Sequence, residues 1–434
     1  MLDINFIREN IKELEKVTKQ KGIEIDYKQL LKLDDRRREF IAKIDDLRKK
    51  RNEIANLLKD PKQRNEKVIS EGKEIKDEIT DLEAKAKKVM EEYGVIMLRV
   101  PNVISKDTPI GKDDKDNKEI AVWGKIPKFK FAIKDHMQLG KDLDLVDLER
   151  GVKVSGFRGY YLKNAAAEMH MALLNYAFNK LILKGFIPFI TPTLVRSAAL
   201  TGSGHFPASK DEIYQIQNPG KQESGELISE PLYLSGTSEP ALLAYRADET
   251  LKEEELPLKY CGFSTCYRSE AGSYGKDARG LYRLHEFMKV EQVVICPADI
   301  KLGLKYLEEL RGIAEEILQD LKLPYHVVAV CTADMGAGKY KMYDIETWMP
   351  SRNAYCETHS DSFLTDWQAR RLNLKYKTKD GELKYAFTLN NTGLASPRIL
   401  IALWENYQNE DGSITIPEVI RPYMGGRTKI EKKK

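Results

Sequence analysis

Along the first hundred residues two long runs of apolar side chains recur every three or four positions, and that spacing admits little besides a pair of packed helices. In one run Phe40, Ile44, Leu47, Arg51, Ile54 and Leu58 follow at steps of four and three; in the other Val68, Gly72, Ile75, Ile79, Leu82, Ala86, Val89 and Tyr93 repeat the pattern. Both are heptad seams, interrupted once by Arg51 and once by Gly72. Between them Lys59-Asp-Pro-Lys-Gln supplies the break, because proline restricts the residue before it and ends a helix. The prediction is an antiparallel helical hairpin whose arms, at about thirty residues each, form a rod about 45 Å long. The composition agrees: this region has no tryptophan, one proline (Pro61) and a dense mixture of acids and bases, which favours long helices.

The far end of the rod is basic. Residues 48–67 hold Arg48, Lys49, Lys50, Arg51, Lys59, Lys62, Arg64 and Lys67 against Glu53, Asp60 and Glu66, a local net of +5. Such a tip suits phosphate contacts; charge by itself favours an ordinary solvated coiled coil. Ahead of the hairpin, Leu2 to Gly22 reads as one short amphipathic helix with Asp3 as N-cap. Behind it, Pro101 to about Gly124 is rich in Pro, Gly, Asp and Lys without periodicity and reads as a linker. The expected domains are 1–110 and 111–434. Within the second, Ala165–Lys184 reads as a long helix that stops before Gly185, with Phe186 to Pro192 following as a strand.

Global composition mostly excludes. A net charge of +4 over 434 residues is too small to argue nucleic-acid binding without a local signal. Five cysteines in no Cys-x-x-Cys pair predict reduced thiols rather than a disulfide or zinc framework. No apolar run approaches the ~18 residues of a membrane span, and nothing resembles a targeting segment, so a cytoplasmic protein without membrane partners is expected.

The chemistry concentrates between Arg268 and Glu291. Arg268, Ser269 and Glu270 end one apolar run, the loop Ala271-Gly272-Ser273-Tyr274-Gly275 follows, and Arg283-Leu-His-Glu-Phe-Met-Lys-Val-Glu291 begins the next. In a strand alternate residues share a face. Arg283, His285, Phe287, Lys289 and Glu291 should therefore form one row, Arg268 and Glu270 another, on an antiparallel pair. Alternating charges usually mark a solvated face, but the continuation to Cys296 is nearly all apolar, which marks a strand buried on both sides. Arginine and glutamate there need partners or a ligand. Two arginines, two carboxylates and a phenylalanine suit a polyphosphate, a flat ring and an ammonium group.

At these residues the chain resembles the second signature motif of class II aminoacyl-tRNA synthetases, in its seryl form. A Thr237-Ser238-Glu239 loop stands about thirty residues upstream, and Leu-Asn390-Asn391-Thr392-Gly-Leu-Ala-Ser-Pro-Arg398 downstream resembles the third motif. The likeness runs from Leu2 to about Gly426 in the family's order. It implies an α+β fold: the N-terminal hairpin, plus a catalytic domain on a mainly antiparallel sheet flanked by helices. It further implies activation of L-serine with ATP to seryl-adenylate and transfer to the 3′ end of tRNA(Ser), with tRNA(Sec) a further substrate where one exists. The hairpin would grip the tRNA through its basic residues, and the helix and strand after Ala165 would lie at the interface of a homodimer that binds tRNA across subunits.

The resemblance assigns roles residue by residue. Arg268 would bridge the α-phosphate and the serine carboxylate, a task for the planar guanidinium fork, with Ser269 beside it. Glu270 would accept from the adenine amino group, Phe287 stack on the ring, and Arg283 reach the triphosphate. Arg398 would meet the γ-phosphate from a helix first turn, with Ser396 as N-cap and Pro397 at the first position. Arg268 and Arg398 are thus the catalytic pair. Thr237, Ser238, Glu239, Glu291, Asn390 and Thr392 would hold serine, Glu291 taking the ammonium. A pocket built around a hydroxyl rejects alanine by as much as ~10⁴-fold, and threonine by its extra methyl. Glu357, Thr358, His359 and Ser360 would contact ATP, with Glu357 and Ser360 ligating Mg²⁺ among the phosphates. The chain departs from the commonest pattern at Cys356, Thr358, His359, Asp361 to Phe363 and Asn391; His359 reads either as an extra phosphate donor or as a surface substitution. Two other readings compete: a relative that loads an amino acid onto a carrier protein, which would lack the hairpin, and a catalytically dead scaffold, which would have lost the charged residues present here.

Overall fold

The structure, a computed structural model, describes residues 1–59, 62, 65–218, 220–226, 228–271 and 280–432. They form two compact units, Met1–Pro101 and Asn102–Lys434. The contact boundary falls at Asn102 because its amide is locked into the second unit: Nδ2 donates to the Leu364 carbonyl at 2.8 Å and to Thr365 Oγ1 at 3.0 Å.

Among its described residues the first unit contains four helices, α1 (Ile4–Glu9), α2 (Ile11–Gln20), α3 (Tyr27–Leu57) and α4 (Glu66–Met97). The single helix expected over residues 2–22 is broken at Asn10, whose backbone leaves helical geometry and whose Nδ2 donates to the Phe6 carbonyl at 2.9 Å. Asparagine's side chain competes for backbone partners in this way. Both heptad seams meet: Leu47, Ile54, Ile75 and Ile79 form a core flanked by Leu58, Val68 and Leu82. Gly72 interrupts the second seam for a reason, since a Cβ there would come within 3.2 Å of Ile54 Cγ2. Arg51 points to solvent. Asp26 and Asn65 cap the two arms by accepting from Gln29 N (2.8 Å) and Val68 N (3.0 Å), and at 31 and 32 residues each arm is about 47 Å long. Near its base Asp34, fully buried, meets Arg8 and Arg37 at 2.6 Å and Arg38 at 2.9 Å.

The second unit is built on eight strands: β1 (Lys118–Trp123), β2 (Ile187–Ile190), β3 (Leu258–Tyr267), β4 (Glu286–Cys296), β5 (Tyr325–Ala329), β6 (Lys341–Met349), β7 (Ala354–Thr365) and β8 (Phe387–Ser396). Their order is β1-β5-β6-β7-β8-β4-β3-β2. Each neighbouring pair is antiparallel except β2 with β3. β1 lies inside the stretch expected as linker. It is an edge strand held by Trp123 stacking on Tyr325 (5.7 Å), and its exposed, charge-flanked residues carry no periodic signal. Helices α5 (Ala165–Leu183), α6 (Ile300–Asp320) and α7 (Arg398–Asn406) pack on the sheet through an apolar core that includes Leu173, Leu181, Val290, Val294, Leu310, Leu389 and Trp404. The end of α5 and strand β2 leave Ile182, Leu183 (88% exposed), Ile187 and Ile190 uncovered, as is Leu194 just beyond. All five cysteines are buried and none is in a disulfide, and among the described residues no helix is long and apolar enough to cross a membrane.

Candidate active site

Strand β4 supplies the floor. Phe287, Lys289 and Glu291 alternate onto one face and line a cavity of about 210 Å³. The expected row is shorter than its sequence pattern because β4 begins at Glu286, and the two-residue alternation holds only inside a strand. His285 therefore turns to Tyr214, its Nδ1 2.9 Å from the hydroxyl. Arg283 does not reach the cavity wall and instead meets Glu270 Oε2 at 3.1 Å. Arg268, one residue past β3, does reach the wall, its guanidinium 5.3 Å from the centre of the Phe287 ring. Glu270 also lines the cavity, with Arg158 at 3.6 Å from the same Oε2. Ser269 faces away, donating its hydroxyl to the Asp211 carbonyl at 2.8 Å. Of the small-residue loop expected next, Gly272 to Gly275 lie outside the described residues.

Residues expected to hold serine gather at one end. Glu291, 2% exposed, pairs with Lys289. Burial raises its pKa, and Lys289 only partly offsets that. Its register partners are Thr392 on β8 and Gly262 on β3. Gly262 is required there, since a Cβ would lie 2.5 Å from Ser238 Oγ. Ser238 thus packs against β3, off the cavity wall, while Thr237 and Glu239 line it. Glu239 Oε1 accepts from Asn390 Nδ2 at 3.0 Å and from Gln368 Nε2 at 2.6 Å. Gln368 stands in the helix Trp367–Leu372 just after β7, and its contact with Glu239 was not anticipated from the sequence.

Two β-bulges complete the wall. Residues three apart on a regular strand face opposite sides, so Glu357 and Ser360 should diverge. The β6–β7 register shifts between Ile345 and Glu346, leaving Thr358 as an extra residue. A bulge re-aims the side chains that follow it, and both Glu357 and Ser360 line the cavity. The Thr358 hydroxyl is engaged by Thr347 Oγ1 at 2.7 Å. His359 is neither a surface residue nor on the cavity wall: it is 1% exposed, and burial lowers its pKa to about 4. A second shift at Gly393 brings Asn390, Thr392 and then Ala395 onto the cavity side.

Arg398 opens α7 and contributes the opposite side of the cavity. Its Nη1 donates to the Glu357 carbonyl at 3.1 Å, and its Nε to the Tyr282 carbonyl at 3.2 Å. Burial works against its charge, but Glu357 and Tyr282 more than compensate and its pKa lies above the usual value. The cap is Pro397, not Ser396; the Ser396 hydroxyl is taken by His170. Sequence reading missed Tyr282, Lys339 and His205 on the wall. Lys289 stood in the predicted row, and its alternation with Phe287 and Glu291 was the usable signal.

Among the described residues no three His, Cys, Asp or Glu side chains converge as a metal-binding group. Glu357 and Ser360 nevertheless suit an ion carried by substrate phosphates, for Mg²⁺ needs few protein oxygens. Asp344, opposite Ser360 in the register, is pushed well above the usual carboxylate range by burial first and Glu357 next, with a hydrogen bond from Ser360 working the other way.

On the hairpin, Arg48 pairs with Glu83 (2.9 Å) and Lys50 with Asp46 (3.1 Å). Lys59 Nζ donates to Asn56 Oδ1 at 3.3 Å. Lys49, Arg51, Lys59, Lys62 and Lys67 are exposed, and Arg64 lies outside the described residues.

Comparison with known proteins matches residues 221–407 to the tRNA synthetase class II core domain (G, H, P, S and T), and residues 1–104 to the seryl-tRNA synthetase N-terminal domain. The chain is 44% identical over 433 residues to the serine–tRNA ligase of Deinococcus radiodurans, covering 98% of each. It is 42% identical over 431 residues to that of Treponema denticola, covering 98% of this chain and 99% of the relative. Among solved structures, seryl-tRNA synthetase from Pyrococcus horikoshii complexed with ATP superposes with a TM-score of 0.87 at 35% identity, covering 100% of both chains. The cytoplasmic serine–tRNA ligase of Naegleria fowleri in complex with AMP gives 0.84 at 29%, covering 100% of this chain and 99% of the other.

Proposed function

The chain belongs to the seryl-tRNA synthetases, a family of class II serine–tRNA ligases, and from that premise we propose which of its residues carry each step. The serine carboxylate attacks the α-phosphorus of ATP and pyrophosphate leaves; the serine then passes from the adenylate to the 3′ end of tRNA(Ser), and of tRNA(Sec) where one exists. Little covalent work falls to the protein, so alignment and charge placement dominate. Arg268, next to Phe287, neutralises the α-phosphate and carboxylate while the Phe287 ring stacks on adenine. Glu270 accepts from the adenine amino group, and Arg283 with Arg158 fixes that carboxylate. Arg398 takes the γ-phosphate. Glu291 receives the serine ammonium, with Thr237, Glu239, Asn390 and Thr392 around the amino acid; Ser238 positions the loop from behind. Glu357 and Ser360 would hold Mg²⁺, which when bound screens the phosphate charge.

The observation that carries this reading is the convergence of Arg268, Phe287, Glu291, Thr392, Glu357 and Arg398, from separate segments, on one cavity. Its test is serine-dependent ATP–pyrophosphate exchange in Arg268→Ala and Glu291→Ala. Loss is expected; wild-type exchange in both would contradict the assignment. The basic tip of the hairpin grips tRNA. The apolar face of Leu183, Ile187 and Ile190 supports a homodimer, with each tRNA spanning both subunits in the cytoplasm.

A further inference from the structure

His170 lies on α5, behind the cavity floor, and lines none of the cavity. Its buried ring places Nδ1 2.8 Å from Ser396 Oγ and Nε2 3.3 Å from Met288 Sδ. Ser396 and Met288 are directly opposed in the β8–β4 register, so one imidazole touches both floor strands at a single rung. From that rung the chain leads to two cavity residues: Phe287 adjoins Met288, and Arg398 follows Ser396 by two. Burial lowers the imidazole pKa to about 4, so at neutral pH the ring carries a single N–H. A thioether sulfur can only accept, and weakly. The N–H therefore belongs on Nε2, facing Met288, and Nδ1 accepts the proton of the Ser396 hydroxyl.

That commitment has a consequence at α7. A serine just ahead of a helix ordinarily turns its oxygen to the first-turn N–H groups. Here Pro397 occupies the cap, and among the described residues no side chain caps the helix. The helix beginning at Arg398 thus starts without a side-chain cap, an arrangement that favours anions.

We propose that His170 is a positioning residue: by holding the Ser396 hydroxyl and bracing Met288, it fixes the β8–α7 corner that presents Arg398 and leaves the helix N-terminus to the triphosphate of ATP. The inference rests on the assignment of Arg398 to the γ-phosphate. It is tested on the full-length chain by pyrophosphate-exchange kinetics of His170→Phe, His170→Asn, Ser396→Ala, the double variant H170F/S396A, and Arg398→Ala. In H170F the KM for ATP rises about tenfold, as a small misplacement of a binding group requires, while the KM for serine changes less than about twofold. H170N, whose carbonyl can still accept the serine proton, recovers most of the loss, and the double variant is no worse than H170F because both changes remove one interaction. If H170F does not fold, S396A carries the test with about a threefold rise in the KM for ATP. An unchanged KM for ATP in folded H170F or S396A, with only a lowered melting temperature, overturns the proposal, as do multiplicative effects in the double variant. An R398A variant with normal ATP kinetics would instead refute the phosphate assignment, and the inference with it.

Discussion

Each unit of the molecule buries a carboxylate, and the two are handled in opposite ways. Asp34, in the helical unit, is met by three guanidinium groups; burial pushes its pKa up, yet the hydrogen bonds from Arg37 and Arg8 win and it ends lowered. Glu291, in the sheet unit, is paired with Lys289; there burial wins, the nearby Glu239 adds to it, and the pKa ends raised. An ion network that is complete without a ligand holds a fold together. A buried acid left short of positive charge is suited to receive a cation, and the ammonium of serine has the right charge and size.

The sharpest way to break this comparison is to neutralise each acid. Glu291→Gln should lower kcat/KM for serine in pyrophosphate exchange by about 100-fold or more, since a desolvated charge contact is lost, while changing the melting temperature little, because relief of a buried carboxylate with a raised pKa offsets the partner that Lys289 loses. Asp34→Asn should do the reverse, with exchange per folded molecule unchanged and the first unit destabilised by about 2 kcal/mol, because three partly exposed guanidinium groups lose the buried carboxylate they share. Calorimetry beside exchange assays separates the two.

Next in size is the effect on tRNA. Replacing Lys49, Arg51, Lys59 and Lys67 by glutamate should reduce aminoacylation about 100-fold and flatten its salt dependence, with pyrophosphate exchange intact; equal loss of both activities would remove the hairpin from RNA binding.

The pH dependence of stability gives a smaller contrast with opposite signs. Asp34, with a lowered folded pKa, contributes stability above its unfolded value of about 3.9 and loses it as pH falls through the folded value. Glu291, with a raised one, contributes stability below about pH 4.3 and loses it as pH rises through its folded value. Denaturation of D34N and E291Q across pH 3 to 8 should therefore deviate from the parent at opposite ends. The least effect is expected from Gly72→Ala, where a gain of about 1 kcal/mol in helix propensity is offset by the 3.2 Å approach to Ile54; thermal melts should move by a few degrees at most, roughly.

The two units also differed in how far the sequence could be read. The hairpin repeats one local rule, so its seams were visible, and its glycine made sense once Ile54 was seen against it. The break at Asn10 was not visible, because a single side chain competing for a carbonyl has no period. In the sheet unit, residue types pointed to a nucleotide and an amino acid, and Phe287, Glu291, Thr237, Glu239, Thr392 and Arg398 converge as read. What alternation could not give was parity. The bulge at Thr358 decides that Glu357 and Ser360 share a face and that His359 does not join them, and threonine does not mark a bulge as the glycine at 393 does. Arg283 and His285 were misplaced for the same reason, since the start of β4 depends on pairing rather than composition.

The most direct test of the account is a crystal structure of the chain with a non-reactive analogue of seryl-adenylate. The serine ammonium should lie about 3 Å from the Glu291 carboxylate, with adenine on the Phe287 ring and Arg268 at the phosphate position. An analogue bound elsewhere, or bound with Glu291 still paired to Lys289 and out of reach of the ammonium, would contradict it.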